Sequence, residues 1–205
     1  MKVVIGNRPT LRIGIDPSFS STGISIVKDG SLLKSYIVTH CRPKVKFNKV
    51  SSRFTSIFEY VNYCYSTLSD FPEGDPELLK TQNIIELTKA IISIILLYKM
   101  QNYEIEVYME GVAFSSRRTQ SLVELGALNY NIRINLIKLG IPFHIITPSA
   151  NKKSFTGNGV ADKELMIKTF LMLNPSYRPL VGYIKMDDIA DAFDLASYSL
   201  ATFKS

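Results

Sequence analysis

The hydrophobic positions of this chain change period several times, and each change marks an element. From Leu11 to Asp16, leucine and two isoleucines alternate with Arg12, Gly14 and Asp16, a period of two that predicts a β-strand. GISIVK and SLLKSYIVTH continue as strands, joined by Asp29-Gly30, a dipeptide that accepts the positive φ angles of a tight hairpin. Helix is predicted from about Lys49 to Leu68, ended by the prolines and glycine of FPEGDPE, and again from near Leu79 to Met100. The second helix is apolar almost all round, which predicts burial. Glu104 to Glu110 returns to strand periodicity. Helix follows from about Arg117 to Leu139, closed by Gly140, and IPFHIIT is a fifth strand that takes His144 into the core. A polar, glycine-containing loop then leads to a helix over about Asp162 to Leu173, and Pro175 and Pro179 precede a last helix. This order predicts an α/β domain with a five-stranded mixed sheet, three antiparallel strands and then two more, flanked by helices.

Composition narrows the class without naming it. The 205 residues, 46% hydrophobic and 20% charged, suit one well-buried domain. The net charge of +6 favours a polyanionic partner modestly. Cys41 and Cys64 have no metal-ligand spacing, and no signal peptide is evident, which predicts an intracellular, soluble protein with reduced thiols. AIISIILLY (90–98) is too short to cross a bilayer, so no membrane association is expected.

Acids in three separate settings carry the chemistry. Asp16 and Glu110 each end a strand, followed by Pro17 and Gly111, where the backbone turns outward and ligands gain access. Either alone reads as an ordinary strand-end residue. DDIADAFDLASYSLA adds more acids on a helix: Ile189, Ala192, Phe193, Ala196, Leu200 and Phe203 fall on one side, and Asp187, Asp191 and Asp194 fall opposite, with Asp188 beside them. A solvated acidic face is the plain account, but four acids within eight residues of a basic chain repel one another unless a cation answers them. Helical spacing leaves both Asp187 and Asp188 as partners for Asp191. Carboxylates gathered this way suit hard divalent cations and two-metal phosphodiester hydrolysis.

A second group surrounds TPSANKKSFTGNGVADKEL. Lys152 and Lys153, the small turn Gly157-Asn158-Gly159, and Lys163 at a helix start together predict a phosphate-binding surface. Arg117 and Arg118 could add contacts to a nucleic-acid backbone, and Phe114 could stack on a base.

These motifs, IGIDPSFSSTG, VYMEGVAF, QSLVELGAL, TGNGVADKE and DDIADAFDLA, resemble in order the RuvC-type Holliday junction resolvases of the ribonuclease H-like superfamily. The resemblance spans most of the chain beyond its first ten residues. It implies a ribonuclease H-like fold and a homodimer that binds four-way DNA junctions and nicks two strands symmetrically. It implies Asp16, Glu110, Asp188 and Asp191 as metal ligands, with Asp188 preferred to Asp187, and Lys152 and Lys163 as functional lysines. Two departures stand out. The span from Asp16 to Glu110 is a few dozen residues longer than expected, implying a helical insertion around 70–100 in one domain over 1–205. The family's aromatic wedge falls near Ala113, whereas phenylalanine stands at Phe114.

The mechanism implied uses two Mg²⁺ ions, with Mn²⁺ able to substitute, about 4 Å apart. One would activate water and the other stabilise the leaving 3′ oxygen, with Lys152 or Lys163 steadying the phosphate and 5′-phosphate nicks as product. Three other functions compete: a ribonuclease H-like nuclease acting on hybrids, flaps or branched DNA, an actin-like ATPase sharing the phosphate-binding turn, and a catalytically idle DNA-binding subunit.

Overall fold

The computed structural model describes residues 8–39, 61–65, 76–112, 119–182 and 184–201. Three antiparallel strands, β1 (Thr10–Asp16), β2 (Thr22–Lys28) and β3 (Ser31–Thr39), form where the period-two pattern predicts them. Asp29 (φ 50) and Gly30 (φ 81) make the tight turn between β2 and β3. β5 (Glu104–Glu110) lies parallel to β1, and β6 (Phe143–Ile146) lies parallel to β5.

A sixth strand departs from the expected five. β4 (Val61–Tyr65) pairs in parallel with β3, inside the segment predicted as helix from Lys49 to Leu68. VNYCY is rich in β-branched and aromatic residues, which fit a pleated ladder better than a helix, and β3 offers an open edge for it. The sheet order is β4-β3-β2-β1-β5-β6.

One sheet face carries Leu11, Ile13, Ile15, Ile24, Val107 and Met109 against two helices, α1 (Pro76–Met100) and α2 (Thr119–Lys138). α1 is buried as its apolar pattern predicts: Leu87, Ile91 and Ile95 are fully buried in this core, while Leu78 and Ile85 remain exposed. Tyr36 and Tyr98 join hydroxyls at 2.8 Å across it.

On the opposite face lies the last helix, α5 (Met186–Ala201), packed with α4 (Lys163–Leu173) and a 3₁₀ turn at Pro175–Leu180. Its approach to the sheet is close. A methyl group at Gly14 would sit 1.8 Å from the Ala192 carbonyl oxygen, and one at Gly23 would sit 2.0 Å from that of Asp188. Only hydrogen fits at either place. Ser25 ties the two layers further, its hydroxyl donating to the Ile189 carbonyl at 3.2 Å.

Two further expectations are corrected. The polar stretch read as a loop contains α3 (Pro148–Thr156), which has local signals rather than apolar periodicity: Thr147 caps it by accepting from the Ala150 N–H, Pro148 opens it, and Gly157 (φ 77) closes it. His144 is not core. β6 is an edge strand, so the imidazole is 49% exposed, bonded to Glu106 at 2.9 Å and stacked on Tyr108. No helix among the described residues is long and apolar enough to cross a membrane.

Candidate active site

β1 and β5 are parallel neighbours, with Ile15 paired to Met109, so the next residues along, Asp16 and Glu110, leave the sheet side by side. Both side chains are half-buried. Asp16 also pairs across to Gly23, whose missing side chain admits the first turn of α5 and brings Asp188 alongside. Asp191 follows one turn later. Three elements distant in sequence thus place four carboxylates at one corner of the sheet.

The charges respond to that crowding. Burial, then Glu110, Asp191 and Asp188, hold the Asp16 carboxyl well above the usual carboxylate range. Asp16 and Glu110 are within hydrogen-bonding reach of one another. Burial raises Glu110 too, against the pull of Asp16 and Lys152. Asp191 is pushed up to about 7, chiefly by burial and then by Glu110, with Lys152 opposing. Asp188 is raised by burial and partly relieved by Ser21, whose hydroxyl donates to it at 2.5 Å. At the end of β5, the buried Asn129 amide donates to the Glu110 carbonyl at 2.9 Å and fixes the strand's exit.

Around the acids stand the predicted lysines. Lys152, on α3, donates to the Ala161 carbonyl at 2.8 Å and lies close enough to Glu110 and Asp191 to lower both. Lys163, at the start of α4, is bound to Asp187 at 2.5 Å. Asp187 is therefore occupied by a lysine, and Asp188 is the acid that faces the cluster. Gly157 and Asn158 are exposed and Gly159 is half-buried, where an added methyl group would sit 3.2 Å from the Ser149 carbonyl oxygen. Lys153 lies on α3. Phe114, Arg117 and Arg118 fall outside the described residues.

Sequence reasoning missed Ser21, Asn129, Asn151, Ser154 and the true setting of Asp194. Asp194 was expected on a solvated face, yet it is 1% exposed. α5 is covered twice, by the sheet and by α3 and α4, so a helix wheel with one buried side cannot describe it. Ser21 lies within the first motif, but nothing in its spacing points to Asp188.

A model of the family described as crossover junction endodeoxyribonuclease RuvC matches residues 76–197, more than half of the chain. The chain belongs to the RuvC family. A curated relative from Caldicellulosiruptor saccharolyticus, named crossover junction endodeoxyribonuclease RuvC, is 26% identical over 187 residues, covering 90% of this chain and 88% of the relative. The RuvC structure from Thermus thermophilus superposes with a TM-score of 0.55 at 15% identity, over 95% of this chain and 96% of that one. Thermus thermophilus RuvC in complex with Holliday junction substrate gives 0.59 at 14% identity, over 95% of each chain. The fold is that of RuvC. As a member of the family the chain is a nuclease of crossover junctions in DNA, a chemistry that depends in general on a divalent metal. The RuvC match includes Glu110, Lys152, Lys163, Asp188 and Asp191 and begins at the first residue of α1.

The donor set fits such a metal in kind. Its oxygens are hard, neither His nor Cys enters it, and the raised carboxyls mark a place where positive charge is wanted. As they stand, no three His, Cys, Asp or Glu side chains among the described residues converge enough to hold an ion.

Proposed function

We propose that Asp16, Glu110, Asp188 and Asp191 bind two Mg²⁺ ions, with Mn²⁺ able to substitute. The chain then resolves four-way DNA junctions by nicking two strands symmetrically, leaving 5′-phosphate ends. One observation carries the reading: β1, β5 and α5 bring these acids within electrostatic reach of one another in a RuvC-family chain. When bound, the ions would supply an activated water and charge stabilisation at the leaving oxygen. Burial and the neighbouring acids raise the Asp16 carboxyl, so its ionisation would accompany metal loading. Ser21 orients Asp188, and Lys152 stands where the developing phosphate charge would lie. Lys153, Lys163 and the turn at Gly157, Asn158 and Gly159 form the adjoining surface for the DNA backbone, with Arg117, Arg118 and Phe114 assigned to the same surface from sequence.

Symmetric nicking requires two sites, and α2 offers a means of pairing them. Val123, Ala127, Tyr130, Ile134 and Ile137 are spaced four-three-four-three along it, and Val123 and Ile137 are 68% and 67% exposed. That is a coiled-coil seam left open in the single chain. A second copy laid antiparallel about a point midway between Tyr130 and Ile134 sets Tyr130 against Ile134 and Ala127 against Ile137, a self-complementary contact of the kind a two-fold dimer needs.

The test is cleavage of a synthetic four-way junction against linear duplex, flap and RNA–DNA hybrid, with and without Mg²⁺. Paired symmetric nicks in the junction alone support the reading. Equal cutting of hybrid or linear duplex overturns it in favour of a general ribonuclease H-like nuclease.

A further inference from the structure

Beneath the acid array, α3 and α5 meet through polar atoms that the mechanism has not used. The Asn151 amide donates to the Asp191 backbone carbonyl at 3.4 Å. One turn along, the Ser154 hydroxyl lies 3.2 Å from Asp194 Oδ1 and 2.8 Å from the Asn151 carbonyl. Asn151 and Asp194 are 2% and 1% exposed. The two contacts are rungs of a ladder: residues three apart on α3 meet residues three apart on α5. Sliding α3 along α5 by one residue breaks both rungs at once.

We propose that Asn151, Ser154 and Asp194 form a buried tether whose task is to hold Lys152 in register with Glu110 and Asp191. The proposal rests on the reading of Lys152 as a group that serves the scissile phosphate. Lys152 lies between the two rungs in sequence, so its backbone is fixed on both sides while its ammonium is drawn to Ala161.

The proton count supports a specific arrangement. A serine hydroxyl has one proton, yet Ser154 faces two acceptor oxygens. Burial pushes the Asp194 carboxyl up to about 9, with Ser154 opposing and Asp191 and Glu110 adding to it, so near neutral pH it is the acid. It then donates to Ser154, and Ser154 donates to the Asn151 carbonyl. The chain of donors has one direction and leaves no buried charge below the metal-binding acids. Asn151 Oδ1 and Asp194 Oδ2 remain without partners, a cost that a purely packing interface of apolar side chains would avoid. Polar atoms are retained here because they set register, which apolar contacts set poorly.

Single-turnover cleavage of pre-bound junction, measured with junction affinity and thermal melting, tests the tether. Ser154→Ala should lower the cleavage rate on the order of tenfold by displacing Lys152, with junction affinity unchanged. In a Lys152→Ala background the same change should cost less than about twofold, because the group it positions is gone. Asp194→Asn, whose amide can still donate to Ser154, should keep near-normal rates, whereas Asp194→Leu should match Ser154→Ala. Equal losses from Ser154→Ala in the two backgrounds would overturn the proposal, since they would mark a role independent of Lys152. So would a Lys152→Ala variant that cuts normally, and that outcome leaves the acid array to its own test at Asp16. Should Asp194→Leu fail to fold, the near-isosteric Ser154→Ala and Asp194→Asn pair still decides.

Discussion

The two faces of the sheet are built on opposite rules. Toward α1 and α2 the contacts are between side chains, large and apolar, with Leu87, Ile91 and Ile95 filling the space over Ile13, Ile15 and Val107. Toward α5 the contacts descend to backbone: Gly14 against Ala192 and Ala196, Gly23 against Asp188. The first face tolerates changes of shape provided volume is kept. At Gly14 and Gly23 the second tolerates none, because a helix seated at backbone distance has no rotamers with which to adjust. Function lies on the side with less freedom, since acids held to a fraction of an ångström need a support that cannot repack.

That contrast can be broken in stages. The largest effect is expected from Asp16→Asn, which should reduce cleavage on the order of a thousandfold while a gel-shift assay finds junction binding intact. Retained metal-dependent cutting by this variant would remove Asp16 from the site. Gly14→Ala comes next: it should lower unfolding free energy by about 3 kcal/mol and suppress cleavage by the molecules that remain folded. Its counterpart on the other face, Ile95→Ala, should cost a comparable 2–4 kcal/mol or so in a denaturant melt yet leave the rate per folded molecule nearly unchanged. If the two variants lose activity per folded molecule equally, the faces do not differ as described. Ile134→Glu should shift the chain to monomer in sedimentation and convert paired nicks to single, independent ones.

Changing pH supplies the last test. Asp194, ordinarily near 3.8 and raised to about 9 in the fold, is protonated in the native protein and ionised in the unfolded chain between those values. The folded state therefore binds the extra proton, and stability must fall as pH rises from about 4 to about 9. Asp194→Asn should flatten that part of a melting-temperature profile, leaving the slope contributed by the acid array.

Much of this was legible beforehand because it depends on local pattern. Alternation found β1, β2, β3, β5 and β6, and a parallel β1–β5 pair necessarily puts Asp16 beside Glu110. What escaped had other causes. β4 is five residues long, and α3 is polar and only nine, so neither repeats a pattern enough times to announce itself. α1 was legible in part, since its all-round apolar pattern predicted the burial that its place in the core shows. Asp194 required knowing that α5 is covered on two sides.

The bond between Lys163 and Asp187 has a consequence for how a ligand is greeted. Under the proposed function, a phosphate arriving there meets a lysine already paired, and Asp187 competes with it for the ammonium. Such an exchange yields little net attraction for any passing polyanion.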